Sequence, residues 1–217
     1  YSADFLSGYK MGNYSVVVLD FETTGLSPFY GDRAIEIGAV LVRDNQIVDR
    51  FQSLMNPEMR ISSFIENYTG ITNRMLSSAP PIAEVMENFF CFMGQNHLVA
   101  HNAGFDSRFL DAELDFIDKK RKQDFACSML VSRRLYPGAP NHKLETLVRY
   151  KKLKTDGVYH RALADAEMTG HLWTTMVNDL KENYNFRAVP FDIMKRLSKV
   201  PKVKAHAFLN RMAEEQR

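Results

Sequence analysis

Four carboxylates and one imidazole lie along this chain at places where they could act together. Asp20 and Glu22 sit in Asp20-Phe21-Glu22-Thr23-Thr24-Gly25, at the end of an apolar run. In an extended strand alternate residues share a face, so both carboxylates point the same way. Like charges that close repel unless a cation lies between them, which points to metal. Asp106 follows His101-Asn102-Ala103-Gly104-Phe105, in a predicted first helical turn where the macrodipole favours a carboxylate. Asp165 follows His160-Arg161-Ala162-Leu163-Ala164, inside a long helix predicted to begin near His160. An acid among small helix-packing residues is costly to bury unless paired or bound to metal. Singly, these patches read as a strand end, a helix-start charge and a surface histidine. Together, four carboxylates need about two divalent cations, and oxygen-only donors suit Mg²⁺ or Mn²⁺ over Zn²⁺. Two such ions can clamp the attacking and leaving oxygens of a phosphoryl displacement. His160 supplies an imidazole that can take the proton of the attacking water.

The elements that must gather these groups follow from pattern. The run from Tyr14 to Asp20 reads as a buried strand, broken at Thr23-Thr24-Gly25-Leu26-Ser27-Pro28. Residues 34–43 and 46–55 read as two further strands around an Asp44-Asn45 turn, so the three form an antiparallel meander. A short helix is expected over 62–68 and a longer one over 81–93. A short apolar strand over 97–101 leads into a helix over 103–117. Residues 125–130 cross from strand to helix, and helices follow over 144–150 and 162–180. This order implies an α/β fold, a mixed sheet of three antiparallel and then parallel strands flanked by helices.

Composition sets the outer bounds. The chain has 217 residues, 45% hydrophobic, 25% charged and 12% aromatic, which excludes a disordered tail, a fibrous repeat and a disulfide mini-protein. Cys91 and Cys127, both in apolar runs, cannot build a disulfide framework, so a reduced, cytoplasmic setting is expected. No run is long enough to span a bilayer and no signal peptide appears, so no membrane partner is expected. The net charge of +2 conceals an asymmetry. Residues 1–116 hold 7 Lys/Arg against 15 Asp/Glu, whereas residues 117–217 hold 21 against 11. The basic half could meet a polyanion or be a solvated face.

DFETTG, HNAGFD and H-x4-D, in this order and spacing, resemble the three motifs of the DEDDh (DnaQ-like) 3′–5′ exonucleases. The resemblance is closest to the proofreading (epsilon) subunit of bacterial DNA polymerase III, and covers roughly Tyr14 to Leu180. Tyr68-Thr69-Gly70-Ile71-Thr72, Leu135-Tyr136-Pro137-Gly138 and Leu144-Glu145-Thr146-Leu147 agree with it. It implies a ribonuclease H-like fold over residues 14–180, preceded by an N-terminal extension over 1–13 and followed by a basic helical appendage over 181–217. It implies release of nucleoside 5′-monophosphates from the 3′ end of single-stranded or frayed DNA, in proofreading or repair. By position, Asp20, Glu22 and Asp165 match the ligands of the tighter metal. Asp20 bridges to a second ion, where Asp106 acts, and His160 is the general base. Phe21, Thr23, Leu26, Thr69, His101, Asn102 and Phe105 match substrate-facing positions, with the Thr23 backbone on the 3′-hydroxyl and Leu26 beside the terminal base.

Two features depart from the epsilon pattern. Thr69 stands where that pattern has His before Gly-Ile, so a substrate contact there is lost or changed. The residues after Leu180 show no Gln-led, apolar-aromatic clamp-binding peptide. A polymerase subunit, a stand-alone exonuclease and a homodimer therefore all remain open as contexts. The motifs are shared with exoribonucleases of the ribonuclease T and oligoribonuclease type, so RNA is an alternative substrate. An inactive nucleic-acid-binding module is the alternative of another class. In the appendage, Phe191, Ile193, Met194, Leu197, Phe208 and Leu209 could cover the domain itself or a partner helix.

Overall fold

The computed structural model describes residues 15–155 and 160–216. The expected N-terminal extension and Tyr14 lie outside them. Five strands form one sheet in the order β3-β2-β1-β4-β5. They are β1 (Ser15–Thr23), β2 (Ala34–Arg43), β3 (Gln46–Leu54), β4 (His97–Ala100) and β5 (Phe125–Cys127). β1, β2 and β3 form the antiparallel meander, and β4 and β5 add to β1 in parallel. This is the expected mixed, ribonuclease H-like α/β architecture. β1 runs to Thr23, beyond the break expected after Asp20, so both motif carboxylates belong to the strand.

Alternation along β1 sends its residues to two cores. Val16 and Val18 pack with Val40 and Val42 of β2 under the helix α7 (Ala162–Tyr184). Val17, Leu19 and Phe21 pack on the other face, under α3 (Ile82–Met93) and α4 (Ala103–Asp115). A strand covered on both faces reads as a continuous apolar run. Ala162, Ala166 and Gly170, four residues apart, form a buried stripe of α7, whereas Ala164 is half-buried. Gly38 of β2 lies under the start of that helix, where a Cβ would run into the backbone of Ala162 and Leu163. Because Gly38 pairs with Asp20, this close approach brings the first turn of α7 over the acidic end of β1.

The remaining helices close the two faces. α1 (Ser63–Thr69) is capped by the Ser62 side chain and ended by Gly70 at φ +72°, a left-handed turn that glycine adopts without strain. A short helix, α2 (Asn73–Ser77), was not expected; its five residues are too few to show a period. α5 (Ser128–Leu135) and α6 (Leu144–Tyr150) lead to α7, which continues four residues past Leu180. α8 (Phe191–Leu197) and α9 (Ala205–Glu214) follow. Phe191, Ile193, Met194, Leu197, Phe208 and Leu209 join the core that holds Trp173, Val99 and Ala126. The six apolar residues of the tail thus pack on their own domain. Cys127 is buried, but Cys91 is exposed on α3, despite its apolar neighbours; both are free thiols. No helix among the described residues is long and apolar enough to cross a membrane.

Replacing Gly38 by Ala is expected to lower stability by about 1–3 kcal/mol, because backbone must move to admit the methyl group. Urea denaturation tests this, and an unchanged midpoint would show that α7 is not held against β2 at this point.

Candidate active site

Three elements deliver the acids. Asp20 and Glu22 project from β1 on the α7 face, beyond the last residue of β1 paired with β4, Val18. α7 begins at Ala162, as the pattern over 162–180 predicts, so Asp165 stands in its first turn. Carboxylate oxygens of Asp20, Glu22 and Asp165 lie within 4.8 Å of one another. α4 starts three residues after β4 ends and places Asp106 in its own first turn, as expected. Asp106 is 1% exposed, and its Oδ1 has no hydrogen-bond partner among the described residues. A buried carboxylate oxygen left unpaired is costly unless a cation meets it. With the oxygen-only donor set, this makes the four acids fit hard divalent ions.

Electrostatics carry the same signature. Burial first, then the charges of Asp106, Asp165, Glu22 and Glu36, hold Asp20 well above the ordinary carboxylate range. Glu22 is pushed up to about 8 by burial and then by Asp165, Glu36 and Asp106, with Arg161 opposing. Burial takes Asp106 to about 8 against the main-chain amides of Asp106 itself and Phe21. Asp165 is raised by burial, and the His160 amide opposes it.

His160 stands exposed at the rim with φ +61°, a left-handed backbone uncommon for a side-chain-bearing residue. Its N–H donates to Asp165 Oδ2 at 2.9 Å, and its ring lies 4.1 Å from the Tyr68 ring. Asn102, at the mouth of α4, is also left-handed, with φ +71°.

The sequence-predicted substrate residues divide. Leu26 is exposed, Asn102 is exposed and Phe105 is half-buried against Phe109, so all three retain exposed surface. Thr23 is buried and its hydroxyl donates to the Gly25 carbonyl at 2.6 Å. Three expectations are corrected as far as side chains are concerned. Phe21 is 4% exposed and belongs to the core, because its place in the strand alternation turns it away from Asp20. Thr69 is buried; its hydroxyl donates to the Ile65 carbonyl and accepts from Ile71 N–H, closing the end of α1. His101 has both ring nitrogens engaged, with Ser128 Oγ and the His142 carbonyl, each at 2.9 Å. Burial lowers its imidazole to about 4, so it is a neutral bracket within the fold.

Two residues near the acids escaped the motif reading. Tyr68 stacks on Phe64 and meets the His160 ring at a tilt, and Glu22, Asp165 and Asp20 add to burial in raising its hydroxyl. Its place at the head of Tyr68-Thr69-Gly70-Ile71-Thr72 and its i, i+4 spacing from Phe64 were its signals in the sequence. Glu36 pairs directly with Glu22 across the sheet and is fully buried. It accepts from Arg161 Nη2 at 2.9 Å, Arg161 Nε at 3.2 Å, Ala162 N–H at 3.1 Å and Gln52 Nε2 at 2.9 Å. Glu36 therefore fastens the start of α7, between His160 and Asp165, to β2. A lone acid inside AIEIGAV was the available clue.

Glu36→Ala strands the Ala162 and Gln52 donors and unpairs Arg161, whose side chain is 36% exposed. The expected loss, discounted for that exposure, is about 2–4 kcal/mol in denaturant; a loss no larger than a surface substitution gives would remove Glu36 from this role. In the metal-free protein the raised acids hold protons in the folded state that the unfolded chain has already lost. Stability should therefore fall as pH rises from about 4 through about 8 in chelator. Melting curves across that window test this, with Mg²⁺ or Mn²⁺ expected to flatten the fall; a melting temperature flat with pH in chelator contradicts it.

With this geometry in place, likeness to known proteins is informative. The chain matches the family model described as Exonuclease over residues 17–172. It is 41% identical over 167 residues to DNA polymerase III PolC-type of Oceanobacillus iheyensis, covering 76% of this chain and 12% of that one. It is 36% identical over 194 residues to the 3′-5′ exonuclease DinG of Bacillus subtilis, covering 88% of this chain and 20% of that one. The chain thus spans a small part of the length of either relative. Exonuclease X in complex with 5′ overhanging duplex DNA shares 28% identity and a TM-score of 0.66, over 84% of this chain and 99% of that one. The nuclease domain of 3′hExo, a DEDDh family member bound to rAMP, shares the fold at 23% identity, TM-score 0.65, over 76% of this chain and 92% of that one. Motifs, fold and relatives agree: this chain belongs to the exonuclease family.

Proposed function

We propose that this domain hydrolyses the terminal phosphodiester at the 3′ end of single-stranded or frayed DNA, releasing nucleoside 5′-monophosphates in proofreading or repair. The observation that carries the reading is the gathering of three carboxylates within 4.8 Å beside the unpartnered, buried Asp106 Oδ1. Asp20, Glu22, Asp106 and Asp165 would hold two divalent cations, Mg²⁺ or Mn²⁺. Bound there, such ions supply positive charge against the phosphate in the transition state and favour ionisation of water.

The chain's own groups do the rest. His160, exposed beside Asp165, accepts the proton of the attacking water on an imidazole nitrogen. Its ring rests on Tyr68, and its main chain is tied to Asp165. The Thr23 backbone meets the 3′-hydroxyl, and Leu26 packs beside the terminal base. Asn102 and Phe105 border the scissile phosphate. DNA is favoured over RNA by the DNA polymerase among the relatives and by the DNA-bound exonuclease X.

Asp165→Ala is expected to abolish release of monophosphates from a DNA oligomer. His160→Ala should lower kcat by about 10²–10⁴. Chelation should stop the reaction and Mg²⁺ or Mn²⁺ restore it. Undiminished release by Asp165→Ala would sink the site assignment, and faster trimming of the matched RNA oligomer would reassign the substrate.

A further inference from the structure

The loop between β1 and β2 is ordered by its own hydrogen bonds yet turns its large apolar side chains outward. The Asp32 carboxylate accepts from Ser27 N–H at 2.9 Å and from the Thr24 hydroxyl at 3.3 Å. Thr24 N–H donates to the Arg33 carbonyl at 2.9 Å, and Arg33 N–H donates to Thr24 Oγ1 at 3.0 Å. Gly25 lies against Asp32 so closely that a Cβ would collide with the carboxylate. Despite this, Leu26, Phe29 and Tyr30 are 80%, 85% and 91% exposed. Hydrogen bonds that fix a loop while leaving two aromatic rings in water build a rigid surface for something else, since contiguous exposed apolar groups mark interaction sites.

The charge beside it says what that something is. Pro28 and Phe29 border a depression of about 620 Å³ whose charged lining is Arg108, Lys119, Lys120 and Arg121 against Asp111 and Asp115. Lys119 and Arg121 are paired with Glu87 and Asp111, while Arg108 and Lys120 have no ion pair among the described residues. The depression thus has the Phe29 ring on one bank and cations on the other, Tyr30 is the next residue along, and the loop begins at the residue after Thr23. Flat rings with free cations suit polynucleotide, whose bases stack without regard to sequence and whose phosphates meet the cations.

We propose that Phe29 and Tyr30 form a stacking platform for the nucleotides upstream of the terminal one, with Arg108 and Lys120 meeting their phosphates. This rests on the nuclease reading above for its direction along the strand. Because the loop is already rigid, little ordering entropy is lost on binding.

The test is the affinity of the full chain for a labelled single-stranded DNA dodecanucleotide in chelator, where no hydrolysis is needed. Phe29→Ala/Tyr30→Ala should weaken binding by about ten- to a hundredfold. Phe29→Trp/Tyr30→Phe should restore it, and Val203→Ser, at an exposed turn elsewhere, should leave it unchanged. With cations present, the preference for the dodecanucleotide over a dinucleotide, as a ratio of kcat/KM, should fall by the same factor. Unchanged affinity in the double Ala variant overturns the platform and assigns the surface to a protein partner. Weakened affinity in a chain that releases no monophosphate would leave the platform standing and refute the nuclease reading instead.

Discussion

Repulsion among carboxylates held together at the end of β1 is the constraint on which this domain depends. Asp20, Glu22, Asp106 and Asp165 have no place together in a folded protein unless cations or protons offset their charge. The rest of the fold supplies the stability to hold them there. β1 is central in the sheet and apolar on both faces, so its register is fixed by two cores at once. With the strand pinned, Asp20 and Glu22 cannot swing apart, and α4 and α7 arrive with their own acids in first turns whose dipoles partly offset the charge.

The helices are held by a device used twice. Glu36 takes the Arg161 guanidinium and the Ala162 amide, fastening α7 to β2. Glu113 of α4, itself 1% exposed, takes the Arg33 guanidinium at 2.8–3.3 Å and the Ala34 amide at 3.0 Å, fastening α4 to the start of β2. In each case a buried glutamate binds the fork of an arginine and the N–H of the alanine after it. Bidentate geometry with a third donor is the arrangement in which burying an ion pair is tolerable. Both clamps converge on β2, so one strand fixes the two helices that carry Asp106 and Asp165.

The mouth of the site is built on different terms. His160 and Asn102 adopt left-handed backbone where chains leave loops for helices, a local cost that surrounding bonds must sustain. Tyr68 places an aromatic ring against the imidazole, and the loop beyond Thr23 presents further rings to solvent. The C-terminal helices stand apart from this. Their apolar residues bury against Trp173 and Val99, and His97 stacks on Phe191 at 4.2 Å. The basic residues of that region ride on a segment integral to the core.

How much of this was legible in advance follows from range. Local pattern showed the strand alternation of β1, the helices over 144–150 and 162 onwards, and the motif acids, because backbone periodicity and helix starts depend on near neighbours. It also showed that Asp20 and Glu22 share a face. Local pattern missed α2, which is too short to be periodic, and the family resemblance offered Phe21, Thr69 and His101 as substrate-facing because a motif names positions, not side-chain directions. The sequence by itself determined which groups could do the chemistry and on which elements they ride. Only the tertiary structure decided that Gly38 lets α7 cross beside Asp20, that Glu36 and Arg161 lock it there, and that Tyr68 meets His160. Those are contacts between residues distant in the chain, and their energies depend on burial and geometry that no local pattern encodes.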